Sequence, residues 1–233
     1  MHTPSVCTSC NGCSSSRAAR NNVLPLDDRS FERVLPQISG KPSLVPGRRQ
    51  VLLPGMGGLL EMHILNWRNR SWTLTAQVDV PDGGAEGVIL SLGGHAGGWS
   101  FYFKDGRITF CYNFFGLHRT HVRGSGPVPA GSRQVRVEFT YDGGGLGRGG
   151  AVTLLVDGST VGTGRIERTE PIGFGYEFTD VGRDGQSPVT QDYPTGDNAC
   201  TNRIHWVRID VGDDDHGHLL DPADVLRVAM YRQ

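Results

Sequence analysis

The sequence predicts an all-β protein built from two packed antiparallel sheets. From Ser71 to Val80 apolar and polar residues alternate strictly, which is typical of a half-buried strand. Further short apolar or alternating runs follow, at Gly87–Leu92, Trp99–Phe103, Arg107–Tyr112, Val135–Tyr141, Val152–Val156, Thr160–Ile166 and Arg203–Val211. The 34 Gly and 13 Pro fall mainly between such runs, as expected where turns join short strands.

Two dipeptides predict how some of these strands connect. Asp105-Gly106 and Asp157-Gly158 each lie between two strand-like runs. Both residues of a two-residue primed turn need a positive φ angle, which suits Asp-Gly, so each dipeptide predicts a tight hairpin. A chain of 233 residues has room for one such core. We therefore expect a lectin-like jelly roll, that is, an antiparallel two-sheet sandwich.

The chain divides into four segments by composition. Residues 1–22 have almost no large apolar side chains and are expected to form a disordered tail. Residues 23–70 are rich in proline and are expected to be a linker that wraps over another surface. The sandwich is predicted over 71–212, followed at 213–233 by an acidic loop and a short helix with helical spacing from Pro222 to Arg232.

Charge and hydropathy narrow the choice of partners. The 23 basic and 24 acidic residues nearly balance, so no overall field favours nucleic acid or an anionic membrane surface. No apolar run reaches the roughly 18 residues of a membrane-spanning helix, and no signal peptide is recognised at the N-terminus. We expect neither nucleic acid nor a membrane as a partner, and a cytoplasmic location for the chain as given.

Seven segments, in order, resemble the C-terminal region of the long bacterial arylsulfatases. They are Asn22–Arg29, Asn69–Ser71, Gly83–Ile89, Gly97–Ser100, Cys111–Gly116, Tyr141–Gly147 and Asp180–Gly182. The resemblance spans roughly residues 21–233 and is far more specific as an ordered set than any one segment is.

The resemblance implies an accessory β-sandwich rather than a complete enzyme. In this family of sulfuric ester hydrolases an alkaline phosphatase-like catalytic domain precedes the segment that Asn22–Arg29 resembles. The Ca²⁺ of such a parent enzyme would have its ligands in that domain, outside this chain. The resemblance therefore implies a truncated, bacterial arylsulfatase-like chain that is inactive alone and packs on a sulfatase catalytic domain, in cis or in trans.

The N-terminal cysteines carry two further hypotheses. The stretch from Cys13 to Arg17 resembles the Cys-x-Pro-x-Arg signature of sulfatases, in which the cysteine becomes the formylglycine nucleophile and the arginine stabilises it. Here Ser15 replaces the proline, which puts a catalytic role for Cys13 and Arg17 in doubt. Cys7, Cys10 and Cys13 have the spacing of a metal half-site, but we favour a disordered thiol tail as their explanation.

Acidic loops offer a candidate calcium site. Asp180, Asp184 and Asp192 lie in one polar stretch, and Ca²⁺ prefers six to eight oxygen ligands. Solvated carboxylates in turns explain the same pattern, and we favour that explanation.

Aromatic residues near glycine-rich turns suggest an alternative function, a free-standing lectin-like carbohydrate-binding module. A ring can stack on the apolar face of a sugar, and Trp99, Tyr102 and His95 are the candidates for such a platform. Because Trp99 and Tyr102 point to opposite faces of one strand, we expect at most one of them to be exposed. Packing in the core explains both residues equally well.

Overall fold

The computed structural model describes Arg17, Arg20, Asn21 and residues 43–174 and 177–214. Within residues 43–174 and 177–214 lie eleven strands and one turn of 3-10 helix, Glu61–His63. The strands are β1 Arg49–Leu52, β2 Trp72–Val80, β3 Gly87–Gly94, β4 Gly97–Lys104, β5 Arg107–Phe114, β6 His118–Arg123, β7 Gly131–Tyr141, β8 Arg148–Val156, β9 Ser159–Arg168, β10 Thr179–Val181 and β11 Arg203–Val211.

The strands form two sheets in which every pair of neighbours is antiparallel. The six-stranded sheet has the order β1-β11-β2-β7-β8-β9, and the five-stranded sheet has the order β10-β3-β4-β5-β6. The chain crosses between the sheets after β2, β6, β9 and β10. These crossings produce the predicted two-sheet sandwich of the jelly-roll type, and the all-β prediction is confirmed.

Apolar side chains from both inner faces meet in one core. Along β2, Trp72, Leu74, Ala76 and Val78 all lie within it, as the alternation in the sequence predicts. Aromatic rings fill the space between the sheets at one end, where the rings of Trp72 and Trp99 stack with their centroids 6.1 Å apart. Burial of this apolar surface is the dominant stabilising term for such a sandwich.

Both predicted Asp-Gly hairpins are present. Asp105 and Gly106 have φ angles of 51° and 72°, and Asp157 and Gly158 have φ angles of 49° and 81°. These left-handed conformations match the twist of the flanking strands, which is why the turns between β4 and β5 and between β8 and β9 are so short.

The sequence did not predict strands β1, β6 and β10, because they are short or have few apolar residues. β1 and β6 lie at sheet edges, where few side chains must be apolar, and Val122 is the one buried residue of β6. β10 is also an edge strand and has three residues. Edge strands can be short and polar since only one neighbour pairs with them.

The described part of the proline-rich segment belongs to the sandwich. β1 pairs with β11, and Leu52, Ile64, Leu65 and Trp67 are buried in the core. The sandwich therefore begins before residue 71, the boundary that the alternating pattern suggested. The predicted tail, the first half of the linker and the C-terminal helix at 222–232 lie outside the described residues apart from Arg17, Arg20 and Asn21. Among the residues that the structure describes, no helix has the length and hydropathy needed to cross a membrane.

Candidate functional site

One outer face of the sandwich is covered. Residues 182–199, which we call the strap, run across the outer face of the five-stranded sheet. Its Val189 and Tyr193 form a second apolar cluster with Val88, Tyr102 and Cys111, which point outward from that sheet. The rings of Tyr102 and Tyr193 meet edge to face with their centroids 5.2 Å apart. The strap thereby buries the outward-pointing Val88, Tyr102 and Cys111 of the five-stranded sheet.

Polar side chains join the strap to the sheet. Oδ2 of Asp192 accepts hydrogen bonds from the Tyr102 hydroxyl at 2.5 Å and from Nη2 of Arg123 at 3.0 Å. Burial alone would raise the pKa of Asp192, but these hydrogen bonds hold it below its usual range. Nearby, Nε2 of His121 lies 2.9 Å from Oγ1 of Thr190, and burial lowers the pKa of His121. The charged Asp192 thus holds the strap in place.

A second carboxylate, that of Asp184, forms hydrogen bonds within the strap. Oδ2 of Asp184 accepts hydrogen bonds from the Val189 amide at 3.0 Å and the Tyr193 hydroxyl at 2.7 Å. Asn198 exchanges hydrogen bonds with the backbone N–H and C=O of Asp184, at 2.9 and 3.0 Å. Burial raises the pKa of Asp184 to about 6. Its contacts give Asp184 a structural role.

The three aspartates proposed as calcium ligands do not converge. Asp180 accepts hydrogen bonds from the amides of Gly58 and Gly185, at 2.8 and 3.1 Å, whereas Asp184 and Asp192 have the separate partners given above. In the part of the chain that the structure describes, no group of three or more His, Cys, Asp or Glu side chains could hold a metal ion. The structure therefore offers no convergent calcium site at these positions.

The predicted sugar platform is not assembled either. Trp99 is buried between the sheets, and Tyr102 is buried under the strap. His95 is exposed in the turn between β3 and β4, where its Nδ1 lies 3.3 Å from Nη2 of Arg119. Trp99 and Tyr102 do point to opposite faces of β4, but both faces are covered. These three residues form no common solvent-facing surface.

The region that resembles the sulfatase signature, Cys13 to Arg17, lies outside the described residues except for Arg17. Cys7, Cys10 and Cys13 are among the residues not described, so neither the nucleophile nor the metal hypothesis is tested. Arg17 is exposed, and its carbonyl oxygen accepts hydrogen bonds from the backbone and the side chain of Asn21.

The outer face of the six-stranded sheet is open and carries a regular block of polar side chains. Nine outward-pointing residues of β11, β2 and β7 form three rows across it, and we call them the central patch. The rows are Asp210-Thr73-Glu138, Arg208-Thr75-Arg136 and Trp206-Gln77-Gln134. Directly opposite residues on neighbouring strands have Cβ atoms about 4.5–5.5 Å apart, so each row is a continuous line of functional groups.

The charged side chains of the central patch are held by one another. Nε of Arg208 donates to Oδ2 of Asp210 at 2.7 Å, and Nη1 of Arg136 donates to Oε1 of Glu138 at 3.2 Å. Residues two apart on a strand share a face, which allows both pairs to form. Because β2 lies between the two pairs, Thr73 is flanked by two carboxylates and Thr75 by two guanidinium groups.

An aromatic side chain lies at one end of the block. Trp206 is half-buried, and the guanidinium carbon of Arg208 lies 5.8 Å from the centroid of its ring. Such a cation–π contact orients the indole. In the next row Thr75 is fully buried, and its hydroxyl has no hydrogen-bond partner among the described residues. The surface therefore combines a fixed ring with fixed polar groups.

The Asp210 row opens into a depression of about 360 Å³. It is lined by Ser71, Trp72, Thr73, Glu138, Phe139, Thr140, Asp210, Val211 and Gly212. Its volume is at the lower end of the range of small-molecule sites, about 300–1,000 Å³. Carboxylates and hydroxyls dominate the outward-pointing part of this lining. The carboxylates accept hydrogen bonds from a polar ligand, and the hydroxyls both donate and accept them.

No protein-family profile matches the sequence, and no curated protein matches it. Several solved structures resemble the fold weakly. The CBM40 module of Ruminococcus gnavus IT-sialidase, in a structure bound to α2,3-sialyllactose, matches with a TM-score of 0.46 at 13% identity, over 77% of this chain and 99% of that one. Mouse laminin α1 domains LG4-5 match with a TM-score of 0.41 at 14% identity, over 71% and 41% of the two chains.

A leech intramolecular trans-sialidase complexed with 2,7-anhydro-Neu5Ac gives a TM-score of 0.43 at 10% identity, over 78% of this chain and 27% of that one. The comparisons establish no family. At such low scores and identities these likenesses carry no information on the ligand of this chain, so its site rests on its own geometry.

Sequence reasoning predicted the strands of the central patch but not the patch. The alternation in β11 already separates Trp206, Arg208 and Asp210 from the apolar Val207 and Ile209. A tryptophan on an otherwise polar strand face could have indicated a binding surface. The sequence could not indicate that β11 and β7 flank β2, because Trp206 and Gln77 pair across more than half the chain.

Proposed function

We propose that this chain is a carbohydrate-binding module whose ligand lies across the central patch. The observation that carries the proposal is the arrangement of Trp206, Gln77 and Gln134 in one row of an uncovered sheet face. The C–H face of a pyranose packs on an aromatic ring, while its hydroxyls need fixed donors and acceptors at their rim.

The patch meets both needs without rearrangement. Arg208 orients the indole of Trp206, and Asp210 in turn orients Arg208. Side chains that are already fixed lose little rotamer entropy when a ligand binds, which favours affinity on a small surface. The depression beside Thr73 gives a bound oligosaccharide a second point of attachment.

Trp206→Ala tests the proposal, with Leu117→Ala as the matched control. Leu117 is 83% exposed in the turn between β5 and β6, on the other sheet. A glycan array followed by calorimetric titration of the best ligand should show at least about a tenfold loss of affinity for Trp206→Ala, or about 1.4 kcal/mol. Leu117→Ala should bind like the parent chain.

Trp206→Phe separates stacking from folding because it keeps an aromatic ring. It should retain most of the affinity that Trp206→Ala loses. If the parent chain binds no glycan on the array, the proposal is wrong. It is also wrong if binding survives Trp206→Ala at full strength.

A second candidate function is that of an accessory domain that packs on a sulfatase catalytic domain. It rests on the resemblance to the C-terminal region of arylsulfatases and on apolar side chains exposed at the start of the sandwich. These are Leu44, Val51, Leu53, Met56 and Leu60. Exposed apolar side chains near one another are typical of a surface that another domain covers.

Mixing this chain with a separately produced sulfatase domain of the resembling family tests the second candidate. Co-elution in size-exclusion chromatography is expected, and Val51→Glu combined with Leu53→Glu should abolish it. Independent elution of the two proteins would count against the accessory function.

A further inference from the structure

We propose that the central patch selects uncharged sugars over sugars that carry a carboxylate or a sulfate. This inference rests on the proposed carbohydrate-binding function and names its ligand class. Its basis is the charge of the patch, in which two arginines face two carboxylates.

Each guanidinium of the patch already donates to a carboxylate on its own strand. The Nε of Arg208 is engaged by Asp210, and Arg136 is engaged by Glu138. The side chains of both arginines are 31% exposed. An anionic group needs the parallel N–H donors of a guanidinium for strong bidentate binding. Here an internal carboxylate already compensates each positive charge.

Neighbours of the patch keep this balance. At one edge, Nε of Arg49 donates to the other oxygen of Asp210 at 2.6 Å and adds a positive charge. At the opposite end, Asp79 adds a negative charge and lies 2.7 Å from Nε2 of His205. The hydrogen bond to His205 holds the pKa of Asp79 below its usual range, so Asp79 stays ionised.

The depression disfavours anions further. Among the described residues that line it, the charged side chains are Glu138 and Asp210. A sulfate or carboxylate placed there would lie close to two like charges, and their repulsion would weaken its binding. A neutral sugar hydroxyl instead donates to a carboxylate and accepts from the guanidinium beside it. The paired Arg and acidic side chains thus suit vicinal hydroxyls.

Matched ligands test the selectivity directly. Neutral oligosaccharides and their sulfated or carboxylated counterparts should be titrated calorimetrically against the full chain at low and high NaCl. The neutral member of each pair should bind at least about tenfold more tightly, a difference of about 1.4 kcal/mol. Its affinity should change less than about twofold with salt, because screening acts on charged partners.

A variant without the two carboxylates tests whether their charge sets the preference. Glu138→Gln combined with Asp210→Asn leaves the shape of the patch but gives it two uncompensated guanidinium groups. It should bind the anionic ligand at least about tenfold more tightly than the parent does. Circular dichroism checks that it folds.

Each outcome has one meaning. Tighter binding of the anionic ligands by the parent chain, with strong salt dependence, overturns the selectivity while leaving the carbohydrate-binding function intact. An unchanged preference in the double charge variant overturns the charge of the patch as the basis of the selectivity. If the parent chain binds neither ligand class, the proposed function itself fails, and the selectivity fails with it.

Discussion

The phenol of Tyr102 donates a hydrogen bond of 2.5 Å to Oδ2 of Asp192, a residue 90 positions further along the chain. Tyr102 points outward from β4 and is fully buried by the strap. This contact is one of several that link the five-stranded sheet to the segment that covers it. It explains why a sugar platform on that face is not available.

Tyr102→Phe should lower the free energy of unfolding by about 1–3 kcal/mol, because it leaves the partly buried carboxylate of Asp192 with one hydrogen-bond donor fewer. Urea denaturation followed by tryptophan fluorescence measures this loss. Asp192→Asn provides the second arm of a double-mutant cycle. The double variant should lose less stability than the sum of the single variants. Strict additivity would mean that the hydrogen bond contributes nothing.

Asp184→Asn should change how stability depends on pH. Burial raises the pKa of Asp184 to about 6, so the folded state holds a proton that the unfolded state has already lost. Its contribution is fully present below the unfolded pKa of about 4 and is lost as pH rises through about 6. The difference in unfolding free energy between parent and variant should fall by up to about 3 kcal/mol over that window.

Comparison with the variant isolates Asp184 from His121. Burial lowers the pKa of His121, so its contribution has the opposite sign and is lost as pH falls. Asn keeps the shape of the side chain and an acceptor for the Val189 amide. Parallel stability curves for the parent chain and Asp184→Asn between about pH 4 and pH 7 would contradict the assignment.

Gly158→Ala should destabilise the hairpin between β8 and β9, although space is available for the added methyl group. Gly158 has a φ angle of +81°, and no atom lies within 4 Å of where an alanine Cβ would sit. The loss of stability is therefore conformational and amounts to about 1–2 kcal/mol. Gly126→Ala is the control, since it is equally open without a positive φ. Thermal melts should show a lower Tm for Gly158→Ala and little change for Gly126→Ala. Equal shifts in the two variants would contradict the turn assignment.

Phe101→Ala should be among the most destabilising single changes in the five-stranded sheet. Phe101 is completely buried in the main core, and replacing a buried phenylalanine by alanine costs about 3–5 kcal/mol. Leu117→Ala removes an 83% exposed side chain and should change stability by less than about 0.5 kcal/mol. Chemical denaturation compares the two. A small loss for Phe101→Ala would mean that the sandwich collapses around the cavity.

Individual strands were predictable because strand formation depends on residues that are neighbours in sequence. Alternation defined β2, and β11 was predicted with the bounds that the structure has, Arg203–Val211. β6 was missed because only Val122 is buried in it. The surroundings of the candidate sugar residues were not predictable for a related reason. Alternation tells which side of β4 Tyr102 faces, but not that a distant segment covers that side.

The sequence by itself determined eight of the eleven described strands, their alternating faces and the two Asp-Gly hairpins, since each follows from side-chain period or from backbone sterics at two residues. Tertiary structure alone decided which outer face is open. The strap has no periodicity of its own, and Asp192 holds it through partners far away in the chain. The same is true of the row that joins Trp206 to Gln77, because a sheet brings together side chains whose separation in sequence gives no sign of their contact.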